Sequence, residues 1–383
     1  MSATIQALFR RDFAAYARAR RLPLYLHKAA RAIMRCRTAD LGGHVMGCSA
    51  GHVAGVWYNS CRHRACPQCA KLQIDRWLAG WQQRLLPCAH FHVVFTLPHE
   101  LLELWQRNRR RFCDQMFQAA RDTLFELLGD DRYLGAQPGV IMALHTWGRT
   151  LTLHPHLHCL VTGGGLGADG QWRASPGGYL LPAGVVKAVF RGKFMERIRH
   201  DLACGELSAP PHLSSIQLSN LLRRLYAKRW NVRIQARYGH GRGVISYLAR
   251  YVRGGPIRNR RILELGDHSV TFSYLDHRDG RWKTMTLTAH EFLRRLLWHV
   301  PEPRSHVVRH YGLYARQAVA QCDAARHALA QTPSSSPPSV STPETEPPRR
   351  CKTCGRPVGC LRLLTPARLF LLASMYPALF KSP

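Results

Sequence analysis

Acidic residues are scarce in this sequence. Its 383 residues include 23 Asp+Glu against 55 Lys+Arg, a formal net charge of +32. Lysine is scarce too, at 8, so 47 of the cations are Arg. A GC-rich coding bias accounts for much of the Arg:Lys ratio, but it does not remove acids. A surface chosen for solubility alone interleaves the two signs, whereas this one concentrates phosphate-bearing polymers around itself and binds them in a salt-dependent way. The planar Arg fork matches phosphate oxygens. Long apolar runs are also missing. The most apolar stretch, 361–380, is broken by Arg362, Pro366, Arg368 and Pro377, which excludes a helical membrane span of about 20 residues. No GxxxxGK[ST] occurs, so no nucleotide-hydrolysing P-loop and no nucleotide cofactor are expected. A cleavable signal pattern is lacking, and the 13 Cys are odd in number with several at metal-ligand spacing. A reduced cytoplasmic setting is therefore expected in place of a disulfide framework.

With 46% hydrophobic residues over this length, the chain can bury a core and form two domains or more. Residues 1–85 read as short basic helices flanking a Cys/His-rich loop from Cys36 to Cys69. From Phe91 the text changes: FHVVFTL reads as a strand and 100–128 as a helix. The runs 140–147 and 156–164 predict an antiparallel hairpin. Helices are expected over 184–206, 214–227, 243–252 and 290–299, with strands between 261 and 290. Residues 331–348 hold six Pro with many Ser and Thr and no basic or aromatic residue, the composition of a disordered linker. A tail with Cys351, Cys354 and Cys360 follows. The expected class is α+β: an N-terminal helical metal-binding domain (1–85), a domain with a central antiparallel sheet flanked by helices (86–265), its C-terminal continuation (266–330), the linker and the tail (349–383).

Three constellations carry chemistry. Cys48, His52, Cys61, Cys66 and Cys69, with Cys36, His44 and His63 nearby, offer more than the four ligands a structural zinc needs. CPQC (66–69) is a tight turn presenting two thiolates, and the second pair comes from Cys48, His52 or Cys61. The segment has little apolar sequence, so a metal would supply its core. The tail's three thiols lack an obvious fourth ligand. In the second constellation, His156 and His158 flank Leu157 on a strand and so share one face, a half-site for a divalent cation. His145 completes it if the hairpin folds back symmetrically and sets it across from His158; His154 competes for that role. Third, Tyr247 and Tyr251 stand four apart on an expected helix, side by side. They lie in a run from Leu221 to Arg261 with 12 basic residues and no acid, interleaved with Tyr226, Trp230 and Tyr238. Cations for a backbone and π-faces for unpaired bases suit single-stranded nucleic acid, and Arg223, Arg224, Lys228, Arg229, Arg233, Arg237, Arg250 and Arg253 are the expected contacts. Gly165, Gly167 and Gly170 match GxGxxG, but QWRASPGG follows where a phosphate-binding helix would have to begin, so this is a glycine-rich loop.

A metal-binding His-Leu-His strand with paired tyrosines implies attack of a phenolic oxygen on a DNA phosphodiester. At these residues the sequence resembles the two-tyrosine HUH transposases of insertion sequences, the IS91-like group that moves by rolling-circle transposition. The resemblance spans CRTADLGGH (36–44), YNSCRHRACPQCA (58–70), FTLPHEL (95–101), LHTWGRTLTLHPHLHCLVTGGG (144–165), VFRGKF (189–194), YLARYV (247–252) and RHYGL (309–313). It implies an N-terminal zinc-binding domain that helps recognise element ends. It also implies an HUH catalytic domain with metal ligands His156 and His158, nucleophiles Tyr247 and Tyr251, a catalytic Mg²⁺ or Mn²⁺, and a bacterial, nucleoid-associated setting. Many relatives carry CxxC at the first zinc half-site, whereas here Cys48 is followed by Ser49, Ala50, Gly51 and His52. Either His52 substitutes or Cys61 is recruited. A rolling-circle replication initiator would use the same residues, and a non-catalytic zinc-containing nucleic-acid-binding regulator would hold them as structure only.

Overall fold

A computed structural model describes residues 3–235, 237–239, 245, 249, 255–276, 278–331 and 349–379. The chain divides into two compact units, each discontinuous: 1–73 with 257–300 and 336–383, and 74–256 with 301–335. The contiguous segments expected from sequence are therefore interleaved. Residues 257–300 pack with the N-terminus, and the tail does so as well. The expected linker falls almost wholly outside the described residues.

In the first unit, α1 (Ile5–Arg18) and α2 (Leu24–Arg35) form a helical pair. Ile5, Leu8, Phe9, Phe13 and Tyr16 recur at helical spacing and are buried, while Arg10, Arg11, Arg18, Arg20 and Arg21 stay exposed. Thr4 caps α1 by accepting from the Ala7 N–H, which satisfies one of the orphan donors at the helix start. The Cys/His-rich stretch is more than a loop. It contains the hairpin β1 (Gly43–Cys48) and β2 (Val53–Tyr58), extended by β12 (Val358–Leu364) to the sheet order β12-β1-β2. A second three-stranded sheet, β10-β9-β8, joins Ile262–Leu265 (β8), Ser269–Leu275 (β9) and Trp282–Thr288 (β10). The helix Ala289–Trp298 follows, capped by the Thr288 hydroxyl. This insert is tied to α1 by the Ile5 N–H on the Asn259 side-chain oxygen, by Arg11 donating to the Gly266 carbonyl and by the edge contact of Tyr16 with His290.

The second unit is built on an antiparallel sheet of order β11-β4-β5-β3-β7, with β6 paired to one end of β5. Its strands are β3 (His90–Thr96), β4 (Gln137–Trp147), β5 (Leu153–Leu166), β6 (Trp172–Ala174), β7 (Val232–Ile234) and β11 (Val308–Gly312). β5 is central and buried along most of its length. Alternation splits the strands into two faces. Phe91, Val93, Phe95, Val140, Met142, Leu157, Cys159 and Val161 form one, fully or almost fully buried, on the side of α5 (Arg109–Gly129), which comes after α3 (Ala70–Gln82) and α4 (Leu102–Arg107) in the chain, and of α6 (Ala183–Ala203). Phe95 meets Phe190 of α6 at 4.7 Å between ring centroids, and Trp230 closes on Phe190 and Phe194. The other face presents His92, Val94, Ile141, Ala143, His145, His156, His158 and Leu160, by the cross-strand register. α7 (Ser215–Ala227) begins with a reciprocal capping box between Ser214 and Gln217. The glycine-rich segment closes the tight turn between β5 and β6, with the Gly167 N–H on the Gln171 carbonyl and Gly170 at φ +75°. The strand β6, in place of a helix N-terminus, follows it directly. Among the described residues, no helix is long and apolar enough to cross a membrane.

Candidate metal centres and nucleic-acid interface

The hairpin of β4 and β5 gathers three imidazoles. His145, His156 and His158 have ligand atoms that all lie within 4.8 Å of one another. Ring centroids are separated by 4.1 Å for His145 and His158, 4.8 Å for His156 and His158, and 5.3 Å for His145 and His156. The register differs from a symmetric fold-back. Trp147 stands opposite Leu153, and a bulge between His145 and Trp147 sets His145 opposite His156, leaving Ala143 opposite His158. His145 reaches His158 along the diagonal. His154 is exposed and lies beside His156, with rings 5.1 Å apart, but it is not one of the three converging rings.

Hydrogen bonds orient the pair on β5. His156 Nδ1 donates to the His154 carbonyl at 2.6 Å, so its Nε2 carries the lone pair. His158 Nδ1 lies 2.7 Å from His92 Nε2, and His92 Nδ1 lies 3.0 Å from the Gln235 side-chain oxygen. That oxygen also accepts from the Tyr238 hydroxyl. An amide oxygen can only accept, so neutral His92 donates from Nδ1 and receives the His158 Nδ1–H at Nε2. His158 then also presents an Nε2 lone pair. This is the outer-shell arrangement that fixes metal-ligating imidazoles. Burial disfavours the charged rings: His156 is pushed down to about 4, His158 to about 2, and His145 well below the ordinary histidine range, with mutual repulsion adding to the shift at His145 and His158. All three rings are neutral at physiological pH. The sequence reading missed His92 and Gln235. A signal existed, since His90 and His92 alternate within HFHVVFT, but nothing local says that β3 lies against β5.

Tyr247, Tyr251, Arg250 and Arg253 lie outside the described residues. Ile245 and Ala249, from the same segment, are helical and fully buried. Ile245 packs in a cluster with Ile141, Ala143 and Leu160, the apolar neighbours of the three histidines on that sheet face. Arg223 and Arg224 on α7, Lys228 and Arg229 after it, Arg233 on β7 and Arg237 are all exposed. The run is less uniformly cationic in space than in sequence, because Lys228 pairs with Glu100 at 2.6 Å. Arg191 and Arg199 from α6 add to it, each 5.2 Å from the Tyr226 ring.

In the first unit, the thiols of Cys36, Cys61, Cys66 and Cys69 converge, with ligand atoms within 4.8 Å of one another and Cys61 Sγ 3.7 Å from Cys69 Sγ. The N–H groups of Cys61 and His63 point at the sulfurs of Cys36 and Cys61, as around thiolates. Hydrogen bonds from Cys61, Cys66 and Cys69 hold the Cys36 thiol far below its ordinary range, while the same bonds push Cys61 and Cys66 up, so the thiols share a proton network that a zinc ion would replace by binding them as thiolates. Cys48 and His52, expected in the same pool, are not part of this cluster, and Cys36 takes their place. The hairpin explains the exchange. Its base brings Asn59 against Arg37, with the Arg37 N–H on the Asn59 carbonyl, so Cys36 and Cys61 meet there. Cys48 is carried to the far end of β1, about 17 Å away at 3.3 Å per residue.

Comparison with known proteins is consistent with both units. A family model described as "Transposase zinc-binding domain" matches residues 8–97, and one described as "Putative transposase" matches 139–321. The chain is 38% identical over 301 residues to "Putative transposase y4qJ" of Sinorhizobium fredii, covering 76% of each protein. It is 32% identical over 299 residues to the transposase for insertion sequence element IS801 of Pseudomonas savastanoi pv. phaseolicola, covering 76% of this chain and 70% of that one. No solved structure matches it significantly.

Proposed function

Because the chain belongs to the IS91-like transposase family, and so acts on DNA, we propose that it cuts single-stranded DNA at element ends through a covalent 5′-phosphotyrosine and then joins the strand to a target. Tyr247 and Tyr251 are the nucleophiles in this reading. The phenolic oxygen attacks the scissile phosphorus, a Tyr–O–P bond forms, and the bond from phosphorus to the 3′ oxygen breaks. The leaving 3′ oxygen takes up a proton to become a free 3′-OH. The new ester conserves the phosphodiester energy, so a later attack by a target 3′-OH rejoins DNA without a nucleotide cofactor, and a second tyrosine serves the second strand end.

The observation that carries the proposal is the set of three neutral imidazoles on one sheet face, His145 and His158 buried and His156 half-buried, with His156 and His158 both turned to offer Nε2. This donor set fits a divalent cation. Mg²⁺ or Mn²⁺ held by His145, His156 and His158 would polarise the nonbridging phosphate oxygens and stabilise their developing charge. A phenol ordinarily ionises near 10, and the acid-free run around the tyrosines favours the phenolate. The burial of Ile245 against the apolar neighbours of the histidines supports bringing that segment to this face. The exposed arginines of α7 and β7 suit the strand's phosphates, and the cysteine centre of the first unit provides a zinc-held fold for recognition of element ends.

The test is to incubate the full chain with labelled single-stranded oligonucleotides spanning candidate element ends in Mn²⁺ and to look for a protein–DNA adduct that survives denaturation. An adduct lost in Tyr247→Phe/Tyr251→Phe and in His156→Ala/His158→Ala is expected. Persistence of the adduct in the double Phe variant, or its absence with every element-end sequence, would overturn the mechanism.

A further inference from the structure

The tail does not have to supply its own fourth ligand. Cys351 and Cys354 sit in a tight turn in which the Cys351 N–H donates to the Arg356 carbonyl and the Gly355 N–H to the Cys351 carbonyl, with Gly355 at φ +70°. Cys48 and His52 sit in a second such turn at the tip of the β1–β2 hairpin. There the Gly51 N–H donates to the Cys48 carbonyl and the Cys48 N–H to the His52 carbonyl. Antiparallel pairing of β12 with β1 sets Cys48 opposite Val358 and brings the two turns together. Cys48 Sγ lies 3.4 Å from His52 Nδ1 and 3.5 Å from Cys354 Sγ. The four ligand atoms of Cys48, His52, Cys351 and Cys354 all lie within 4.8 Å of one another. Two thiol pairs or their equivalents on facing turns form the tetrahedral donor set of a structural zinc. Cys360, the tail's other thiol, is exposed and pairs across from Met46, away from this cluster.

The surrounding packing is cut to receive the tail. A Cβ at Gly43 would collide with Leu369 Cδ1 and meet the Trp57 carbonyl at 2.7 Å, and one at Gly47 would meet Leu361 Cδ1 and the His52 carbonyl at 2.5 Å. Yet the apolar seal is small: among the described residues Val56, Leu364 and Leu369 form its buried core, with Ala39, Val45, Tyr58 and Leu372 half-buried against it. A three-stranded sheet with so little core needs another source of stability, and a metal supplies it.

We propose that Cys48, His52, Cys351 and Cys354 bind a second zinc ion, separate from the Cys36, Cys61, Cys66 and Cys69 centre, and that this ion clasps the C-terminal tail to the N-terminal unit. The tail lies beyond both matched family regions, which end at 97 and 321. Cys48 and Cys354 are 306 positions apart, so one ion closes nearly the whole chain into a loop.

Zinc content of the purified full chain, measured by mass spectrometry of the metal against protein, tests this. Cys351→Ser/Cys354→Ser is expected to hold one zinc fewer per chain than the parent, and Cys66→Ser to lose a different one. His52 is exposed, so its substitution leaves the sheet packing in place should the cysteine variants fold poorly. His52→Cys is expected to keep the full zinc content and, after exchange with Co²⁺, to strengthen the thiolate-to-cobalt absorption. His52→Ala is expected to release the second ion at a lower chelator concentration than the first. The proposal fails if Cys351→Ser/Cys354→Ser retains the parent's zinc content, or if neither His52 variant alters the cobalt spectrum or the release of metal.

Discussion

His92 makes no contact expected from its place in the sequence, yet it sets the chemistry of a residue 66 positions away. Its Nε2 holds His158 Nδ1 at 2.7 Å, and Gln235 holds its own Nδ1. Removing it takes away the acceptor of the His158 Nδ1–H, and outer-shell partners of this kind are worth about 10–100-fold in metal affinity or activity. His92→Ala is therefore expected to raise the Mn²⁺ concentration for half-maximal adduct formation by about tenfold, with activity largely recovered at saturating Mn²⁺. His92→Gln keeps an acceptor for the His158 N–H and should lie between the two. Equal Mn²⁺ dependence in all three proteins would show that His92 does not position His158. The His156 and His158 pair was legible because strand periodicity puts alternate residues on one face. His92 was not, because hydrogen bonding between β3 and β5 is a property of the sheet order. The same limit applied to the cysteines: CPQC was readable as a local turn, whereas Cys36 replaced Cys48 and His52 only through the hairpin between them.

Elements were more readable than their partners. The expected helices at 184–206 and 214–227 and the β4–β5 hairpin correspond to α6, α7 and the central strands, because each has its own periodicity or cap. How α5 meets α6 was invisible, since beside the Phe112–Phe194 ring contact and the Arg197–Asp122 and Lys193–Glu126 pairs it is anchored by one buried carboxylate. Asp201 on α6, 1% exposed in its side chain, takes both arms of Arg111 from α5 at 2.6 Å and the Gln115 amide at 2.5 Å. Burial alone would raise its ionisation range, but Arg111 and Gln115 outweigh that and hold it below the ordinary carboxylate value. Arg111→Met leaves the charge without its strongest partner. Breaking a fully buried pair in this way costs about 3–5 kcal/mol, whereas replacing both members with apolar residues is often nearly neutral; the Arg111 side chain is 41% exposed, so water that reaches Asp201 in the variant offsets part of that cost. The expected outcome is a large fall in the thermal midpoint for Arg111→Met and a smaller one for Arg111→Met/Asp201→Leu, read by calorimetry of the full chain. Additive losses in the double variant would mean that the pair does not couple α5 to α6.

At the scale of the whole chain, composition pointed to a phosphate-rich partner and the membership in a transposase family agrees with it, but linear order concealed how the chain divides. The first unit is assembled from three separated stretches and the second from two, so no break in composition marks their borders apart from the Pro/Ser linker. Charge follows the units. Arg10, Arg11, Arg18, Arg20 and Arg21 lie exposed on and after α1 in one, and Arg223, Arg224, Arg229, Arg233 and Arg237 lie exposed in the other. If the second set tracks the backbone of a single strand, each cation removed should abolish the release of one counterion bundle, at about 0.7 in the slope of log K against log salt per phosphate contact. Arg223→Ala/Arg224→Ala/Arg229→Ala is thus expected to lower that slope by about 2 for a single-stranded oligonucleotide, in fluorescence anisotropy titrations between low and physiological salt. The zinc content should stay at the parent's value, since these side chains are far in sequence from every candidate ligand and lie in the other unit. Weakened binding with an unchanged slope would mean that these arginines act through folding or base contacts, and the single-strand path would then have to be sought elsewhere on the second unit.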